Sequence, residues 1–297
     1  MAKTKRGDLM IPLTITDVRS VPGDSAFLID DGTTAVLYDT GFGFTGYAVA
    51  DNVRRVLGER PLDYILLTHS HYDHALGSGY LRRRYPNVQV VAGAYADRIF
   101  RKPTARAVMR DLDRKAAASF GVTEYEDLID DLRADITVTD GDTIQCGDLR
   151  FTAVELPGHT KCSVGYYLAE NRLLLASESL GVYCGNGVYL PSFLVGYQMT
   201  LDSIRRAGEM DIDAMVIPHY GPVSGEEARE YLRHGEETAR KSAEMILNQI
   251  SQGKTNEEIL EYLTDVLYTE QVKPSYPYDA FRMNMEIMVN LIRKELQ

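Results

Sequence analysis

Residues 66–77 read LLTHSHYDHALG, and positions 69–74 of that stretch carry three of the chain's six histidines together with an aspartate. The run before it, YILLT (64–68), is apolar and bulky and predicts a buried strand, while Ala75–Arg84 after it predicts a helix. The polar cluster therefore falls where a strand gives way to a helix. Side chains two apart on an extended exit share a face, so His69 and His71 can converge on one point. Asp73 and His74 fall at the turn into the helix and can address a second point close by. Neutral imidazole nitrogen and carboxylate oxygen are the donors that zinc and its borderline neighbours take.

The other histidines sharpen this reading. His159 in ELPGHTKCSVGYYL (155–168) and His219 in MVIPHYGPV (215–223) each follow an apolar, β-type run and sit beside Pro or Gly. Ligands supplied from separate strand ends are how a rigid sheet scaffold holds a metal in register. His234, within EYLRHGEETARK, has no such context and is expected to face solvent.

Strand-like runs alternate with helical stretches from Leu13 to about Val223: TAVLYDTG, YILLTHS, VQVVAG, ITVTDGDTIQCGDLRFTAVELPG, VGYYLAENRLLLAS and AMVIPH. After Gly221-Pro222 the strands are expected to stop. Ser224 with Glu227 predicts a capped helix to about Gln252, Thr255 with Glu258 a second, and Asp279–Leu296 a third. This gives a core domain over 1–225, with a helical insertion over 94–133, and a helical extension over 226–297. The basic run RIFRKPTARAVMR that opens the insertion reads as a solvated helix face.

Composition narrows the function classes. With 297 residues, 44% of them apolar, the chain can bury a substantial core, and its net charge of −11 argues against a nucleic-acid partner, which needs clustered Lys and Arg. MAKTKRGDLMIPLTI has no continuous apolar region and no stretch is long enough to span a bilayer, so no membrane partner is expected. Three cysteines (Cys146, Cys162, Cys184) with no CxxC pair suit free thiols in a reducing cytoplasm. Cys162 reads as a buried spacer.

Five motifs in order, LYDTG (Asp39), THSHYDH, PGHTKCSVGYY, LLLASES (Glu178) and PHYGPV, resemble the metallo-β-lactamase-fold hydrolases over most of the first 225 residues. The resemblance implies an α/β (α+β) fold, a four-layer αββα sandwich, here with the C-terminal helical extension. It implies one metal site of His69, His71 and His159, a second of Asp73, His74 and His219, and Asp39 supporting the site without binding metal. Glu178 stands where the family has a bridging aspartate. It could bridge from a retracted rotamer, bind one metal bidentately, or leave a mononuclear centre.

The implied cofactors are two divalent metal ions, zinc first, with iron or manganese as alternatives for an all-N/O donor set. Two cations about 3.5 to 4 Å apart bring a shared water's pKa near neutrality, making hydrolysis of a small-molecule substrate the default reaction. Asp73 would orient the water and take up a proton, and Tyr220 would donate to an oxyanion. The Gly- and aromatic-rich segment 178–199 offers Tyr183, Tyr189, Phe193 and Tyr197 as pocket residues, with the GFGFTGYAV loop (41–49) as the opposite wall. The helical tail resembles that of the thioesterase branch, including glyoxalase-II-type enzymes. An ester or thioester hydrolase follows, and the basic insertion would suit an acidic carrier such as coenzyme A or glutathione. Alternatives are an iron-dependent oxygenase or oxidoreductase on the same ligands, and a regulator with a vestigial metal site. The amphipathic segment AFRMNMEIMVNLI (280–292) needs an apolar partner, which a lid contact or a homodimer would supply.

Overall fold

The computed structural model describes residues 11–274 and 276–296. The extreme N-terminal run considered above lies, up to Met10, outside them. The first sheet is a meander of β1 (Thr14–Asp17), β2 (Phe27–Asp30) and β3 (Ala35–Tyr38) that continues in parallel through β4 (Tyr64–Leu67), β5 (Gln89–Gly93) and β6 (Ile136–Val138). The parallel crossovers run through α1 (Gly46–Leu57), then α2 (Tyr72–Ala75) and α3 (Ser78–Arg84), then α4 (Ala94–Phe100) and α5 (Pro103–Ser119). All four residues of β3 are buried, as expected of an interior strand covered on both faces.

The second sheet runs β14-β13-β10-β9-β8-β7, from β7 (Thr143–Cys146), β8 (Leu149–Glu155), β9 (Val164–Leu168) and β10 (Leu173–Leu175) to β13 (Ala214–Ile217) and β14 (Gly221–Ser224). A separate hairpin pairs β11 (Val182–Tyr183) with β12 (Tyr189–Leu190) and leads into α6 (Tyr197–Gly208). Phe27, Tyr38 and Leu66 from one sheet meet Phe151, Tyr166 and Val216 from the other in the central core. A second apolar layer lies under α1, α3 and α4, and a third under α6 and α7 (Glu226–Ser251), giving the αββα sandwich. Two buried tyrosines lock the sheets together beside the strand ends: Tyr166 donates to the Leu67 carbonyl (2.8 Å) and Tyr38 to the Ala176 carbonyl (2.6 Å).

The chain departs from its sequence reading in four places. Strands continue through Gly221-Pro222, because β14 is an edge strand and Pro222, which lacks an N–H, is tolerated there. Ser224 is consequently the last residue of β14, and Gly225 at φ +57° begins α7 with no side-chain cap. Thr255 and Glu258 do form their capping box at the start of α8 (Asn256–Leu267). The helix expected from Ala75 to Arg84 is instead α2 and α3, broken at Leu76-Gly77. His234 does not project freely into solvent: it stacks on Tyr189 with ring centroids 4.8 Å apart.

The tail turns inward. Phe281, Met285, Met288 and Ile292 of α9 (Tyr278–Leu296) pack with Ile246 and Ile250 of α7 and with Ile259 and Leu263 of α8. The same cluster takes in Val182, Leu190 and Phe193, which ties the tail to the segment that follows Glu178. No helix among the described residues is long and apolar enough to cross a membrane.

Candidate metal centre

Five strand ends supply the site. Asp39 follows β3, the 68–74 segment follows β4, His159 follows β8, Glu178 follows β10 and His219 follows β13. The carboxyl ends of parallel strands are where α/β sheets place ligands. Two of the side chains sit on left-handed backbone, Asp39 at φ +55° and His219 at φ +63°. Such strain persists where the surroundings over-determine it. The Asp39 N–H donates to the Leu66 carbonyl (3.0 Å), and the His219 carbonyl accepts from Arg19, itself paired with Asp17 at 2.6 Å.

The structure gathers the candidate ligands into two adjoining groups, His69, His71, His159 and Glu178, and Asp73, His74 and His219. Glu178 lies between them. Its Oε2 is 3.4, 3.2 and 3.0 Å from Nε2 of His69, His74 and His159, and its Oε1 is 3.5 Å from Nε2 of His219. Glu178 begins a 3₁₀ turn (Glu178–Leu180) three residues beyond Leu175, the end of β10. Asp73 Oδ2 stands 3.7 Å from His74 Nε2 and 3.8 Å from His219 Nε2.

Hydrogen bonds on the far side of each ring decide which nitrogen faces inward. His74 Nδ1 is 2.7 Å from Asp39 Oδ2, and His219 Nδ1 is 2.9 Å from the Gly23 carbonyl. Both partners only accept, so Nδ1 carries a proton and Nε2 is the atom each ring turns toward the site. His69 Nδ1 meets the Thr68 hydroxyl (3.0 Å) and His159 Nδ1 the Ser192 hydroxyl (2.7 Å). His71 is turned the other way, its Nδ1 lying 3.0 Å from His159 Nε2.

The residues fit a cation. His69 Nε2 and His74 Nε2 are buried with no well-directed hydrogen bond, the Glu178 carboxylate being the nearest acceptor, an arrangement that is costly unless a ligand completes it. Burial holds His69 and His71 well below the ordinary imidazole pKa, so both are neutral and able to ligate. Burial opposes charge on His74 as well, yet the carboxylates of Asp39 and Asp73 outweigh it and raise its pKa well above the ordinary value. Burial likewise opposes charge on Glu178, but His159 and the other imidazoles pull its carboxyl well below the usual range. A buried pocket whose carboxylates favour positive charge this strongly favours a divalent cation for the same reason.

A cavity of about 160 Å³ opens over the ligands. Its wall includes Tyr183 and Tyr220 from the sequence reading and Phe42 from the 41–49 loop. Tyr220 is 40% exposed and leans on Tyr183, their ring centroids 4.4 Å apart.

Three expected pocket residues lie elsewhere. Phe193 is fully buried in the tail core, and Tyr197 packs against it at 5.3 Å from the first turn of α6. Tyr189, paired with Tyr183 across the β11–β12 hairpin, is sandwiched between Tyr183 and His234. Cross-strand pairing stacks the two tyrosines, so only one can face the cavity.

The wall also holds residues for which the sequence carries no motif: Leu112, Ala116 and Phe120 of the α5 region, and Tyr276, Met283 and Asn284 from the tail. Only the amphipathic pattern of their helices hinted at buried faces. The basic run of the insertion does not line the cavity; Arg101, Arg106 and Arg110 pair with Asp97, Asp130 and Asp127.

Comparison with known proteins agrees with this arrangement. Over 159 residues the chain is 32% identical to a hydroxyacylglutathione hydrolase of Stenotrophomonas maltophilia (strain R551-3), covering 53% of this chain and 46% of that one. Over 212 residues it is 27% identical to a hydroxyacylglutathione hydrolase of Cereibacter sphaeroides (strain ATCC 17025 / ATH 2.4.3), covering 69% and 66%. The match thus spans about half the length of the first of these relatives. The crystal structure of a metallo-beta-lactamase family protein from Thermus thermophilus superposes with a TM-score of 0.63 at 20% identity, covering 95% of this chain and 93% of that one. The family model of the metallo-beta-lactamase superfamily matches residues 21–219, which contain every ligand candidate and the strands whose ends carry them. On that match, and with the fold in agreement, the chain belongs to the metallo-beta-lactamase superfamily.

Proposed function

We propose that this protein is a metal-dependent hydrolase of a small ester or thioester, with one divalent ion held by His69, His71 and His159, a second by Asp73, His74 and His219, and Glu178 reaching both. The observation that carries this reading is the set of imidazole nitrogens turned inward by hydrogen bonds on their far sides, two of them buried and facing Glu178 without a well-directed hydrogen bond. The hydroxyacylglutathione hydrolases among its relatives, which are named for a thioester, support the reaction class. Zinc is the first candidate, and the N/O donor set also suits iron or manganese. Ions bound there would lower the pKa of a water molecule and polarise an acyl oxygen.

The chain's own groups supply the rest. Asp73, with its side chain 22% exposed at the cavity, can accept a proton from water held beside it. Tyr220 and Tyr276, on the same wall, offer hydroxyl donors to a substrate oxygen. Phe42 and Phe120 give the acyl group an apolar seat.

Plasma mass spectrometry on protein purified without added metal or chelator, paired with an ester and thioester panel, tests the proposal. One ion per ligand group and turnover abolished by His71→Ala in a folded protein are expected. Full turnover in that variant would refute the assignment.

A further inference from the structure

The cavity's charge and size narrow the substrate within this hydrolase reading, and the narrowing rests on that reading. The only charged side chains on the cavity wall, among the described residues, are those of the metal-site groups, and the acids there are Asp73 and Glu178. No lysine or arginine contributes to it. The cations nearest in sequence to wall residues face acids off the wall: Lys115 lies 2.7 Å from Asp111, Arg110 and Arg114 both reach Asp127, Arg19 lies 2.6 Å from Asp17 and Arg282 2.9 Å from Glu257. Lys161, two residues past His159, is exposed and not part of the wall.

The remaining surface is apolar or uncharged. Phe42, Leu112, Phe120, Val182 and Met283 make an apolar seat in a cavity of about 160 Å³. A volume of about this size has room for a benzene ring. The polar handle is neutral as well: Asn284 Nδ2 donates to the Tyr276 hydroxyl, which leaves the phenol's own proton free to serve a substrate oxygen. A carrier carboxylate or phosphate lying on this wall beyond the metal groups would lose its hydration without gaining a counter-charge from any side chain there. It would also approach a chain of net charge −11.

We infer that the site takes an uncharged ester or thioester with an apolar acyl group of about aryl size, and that it discriminates against anionic carriers such as coenzyme A or glutathione. The insertion's basic run thus adds no charge to this wall, and on this inference the chain differs in carrier from what the names of its relatives state.

The test is a matched set of benzoyl thioesters of N-acetylcysteamine, glutathione and coenzyme A, which share the scissile bond and acyl group and differ in carrier size and charge. For the metal-loaded protein at low ionic strength, kcat/KM is expected to be about tenfold or more higher for the neutral N-acetylcysteamine thioester. The gap should narrow as salt is added. Equal or better turnover of either anionic thioester overturns the inference.

Titration calorimetry with S-benzyl-N-acetylcysteamine and S-benzylglutathione reads the same preference without turnover. Tighter binding of the neutral thioether is expected, and equal or tighter binding of S-benzylglutathione overturns the inference even if no thioester is hydrolysed. Absence of turnover across the whole set, with the neutral thioether still preferred, would count against the hydrolase reading alone.

Discussion

Asp39 Oδ2 lies 2.7 Å from His74 Nδ1, with both side chains fully buried, and the same carboxylate accepts from the Thr68 N–H (2.9 Å) and the Ser25 hydroxyl (3.0 Å). One acid therefore fixes the tautomer of a ligand, the start of the ligand loop and its own left-handed turn. Asp39→Asn keeps the shape and tolerates the turn, but sets an NH₂ group against donors. Metal affinity measured by chelator competition should fall about 10- to 100-fold. Unchanged affinity would mean that the contact does not tune the ligand.

Gly235 of α7 presses against the turn that carries Glu178. A Cβ at Gly235 would stand 2.2 Å from the Leu180 carbonyl oxygen, and Tyr231 one turn earlier donates to the Gly181 carbonyl (2.6 Å). Gly235→Ala must push the helix or the turn aside, at about 1 to 3 kcal/mol. A lower Tm is expected together with weaker metal binding, because Glu178 moves with the turn. A variant matching the parent in both measurements would show that the tail does not support the site.

Tyr276→Phe deletes the tail's hydroxyl from the cavity wall while keeping its ring. Loss of one neutral donor to a substrate oxygen is worth about 1 to 1.5 kcal/mol, or roughly tenfold in kcat/KM. Metal content should not change. Asn284→Ala, which frees the hydroxyl to rotate, should show a smaller loss of the same kind; full activity in both would remove Tyr276 from the substrate's contacts.

Asp113 gives a pH signature away from the metal. It accepts from the Gly43 N–H (2.9 Å) and the Tyr125 hydroxyl (2.6 Å), and burial, with a smaller push from Asp127, raises its pKa to about 6. The folded protein thus binds this proton more tightly than the unfolded chain, whose aspartate titrates at about 3.9. The stabilisation is fully present below that value and is lost as pH rises through 6, a change on the order of 2 to 3 kcal/mol. Asp113→Asn has no such proton to lose, so its Tm relative to the parent should climb between pH 4 and 7. A difference flat with pH would argue that Asp113 is ordinary.

How much of the molecule was legible beforehand depends on the range of the interactions. The histidine and aspartate donors that converge could be picked out in the chain because each lies within a few residues of an apolar strand end, where alternation and turn chemistry set direction locally, and their grouping was what the family resemblance implied. The capping box of Thr255 and Glu258 was legible for the same reason. Ser224 was misread because its fate depends on β13: pairing with Ala214 holds it in a strand that its own neighbours do not specify.

The cavity wall was the least legible. Phe193 and Tyr189 have the composition of pocket residues, but contacts with a tail far along the chain and with a hairpin partner decide which way they face. Tyr276 and Asn284 have no motif at all, and they reach the cavity only because the apolar face of α9 docks against α7 and α8. The sequence by itself determined the order of strand-like and helical runs and the donor chemistry at the strand ends, which arise from periodicity and spacing, while the sandwich followed from the resemblance of its motifs to a known family. Only the tertiary structure decided what the site can accept, because the packing of distant helices sets the shape and charge of the wall.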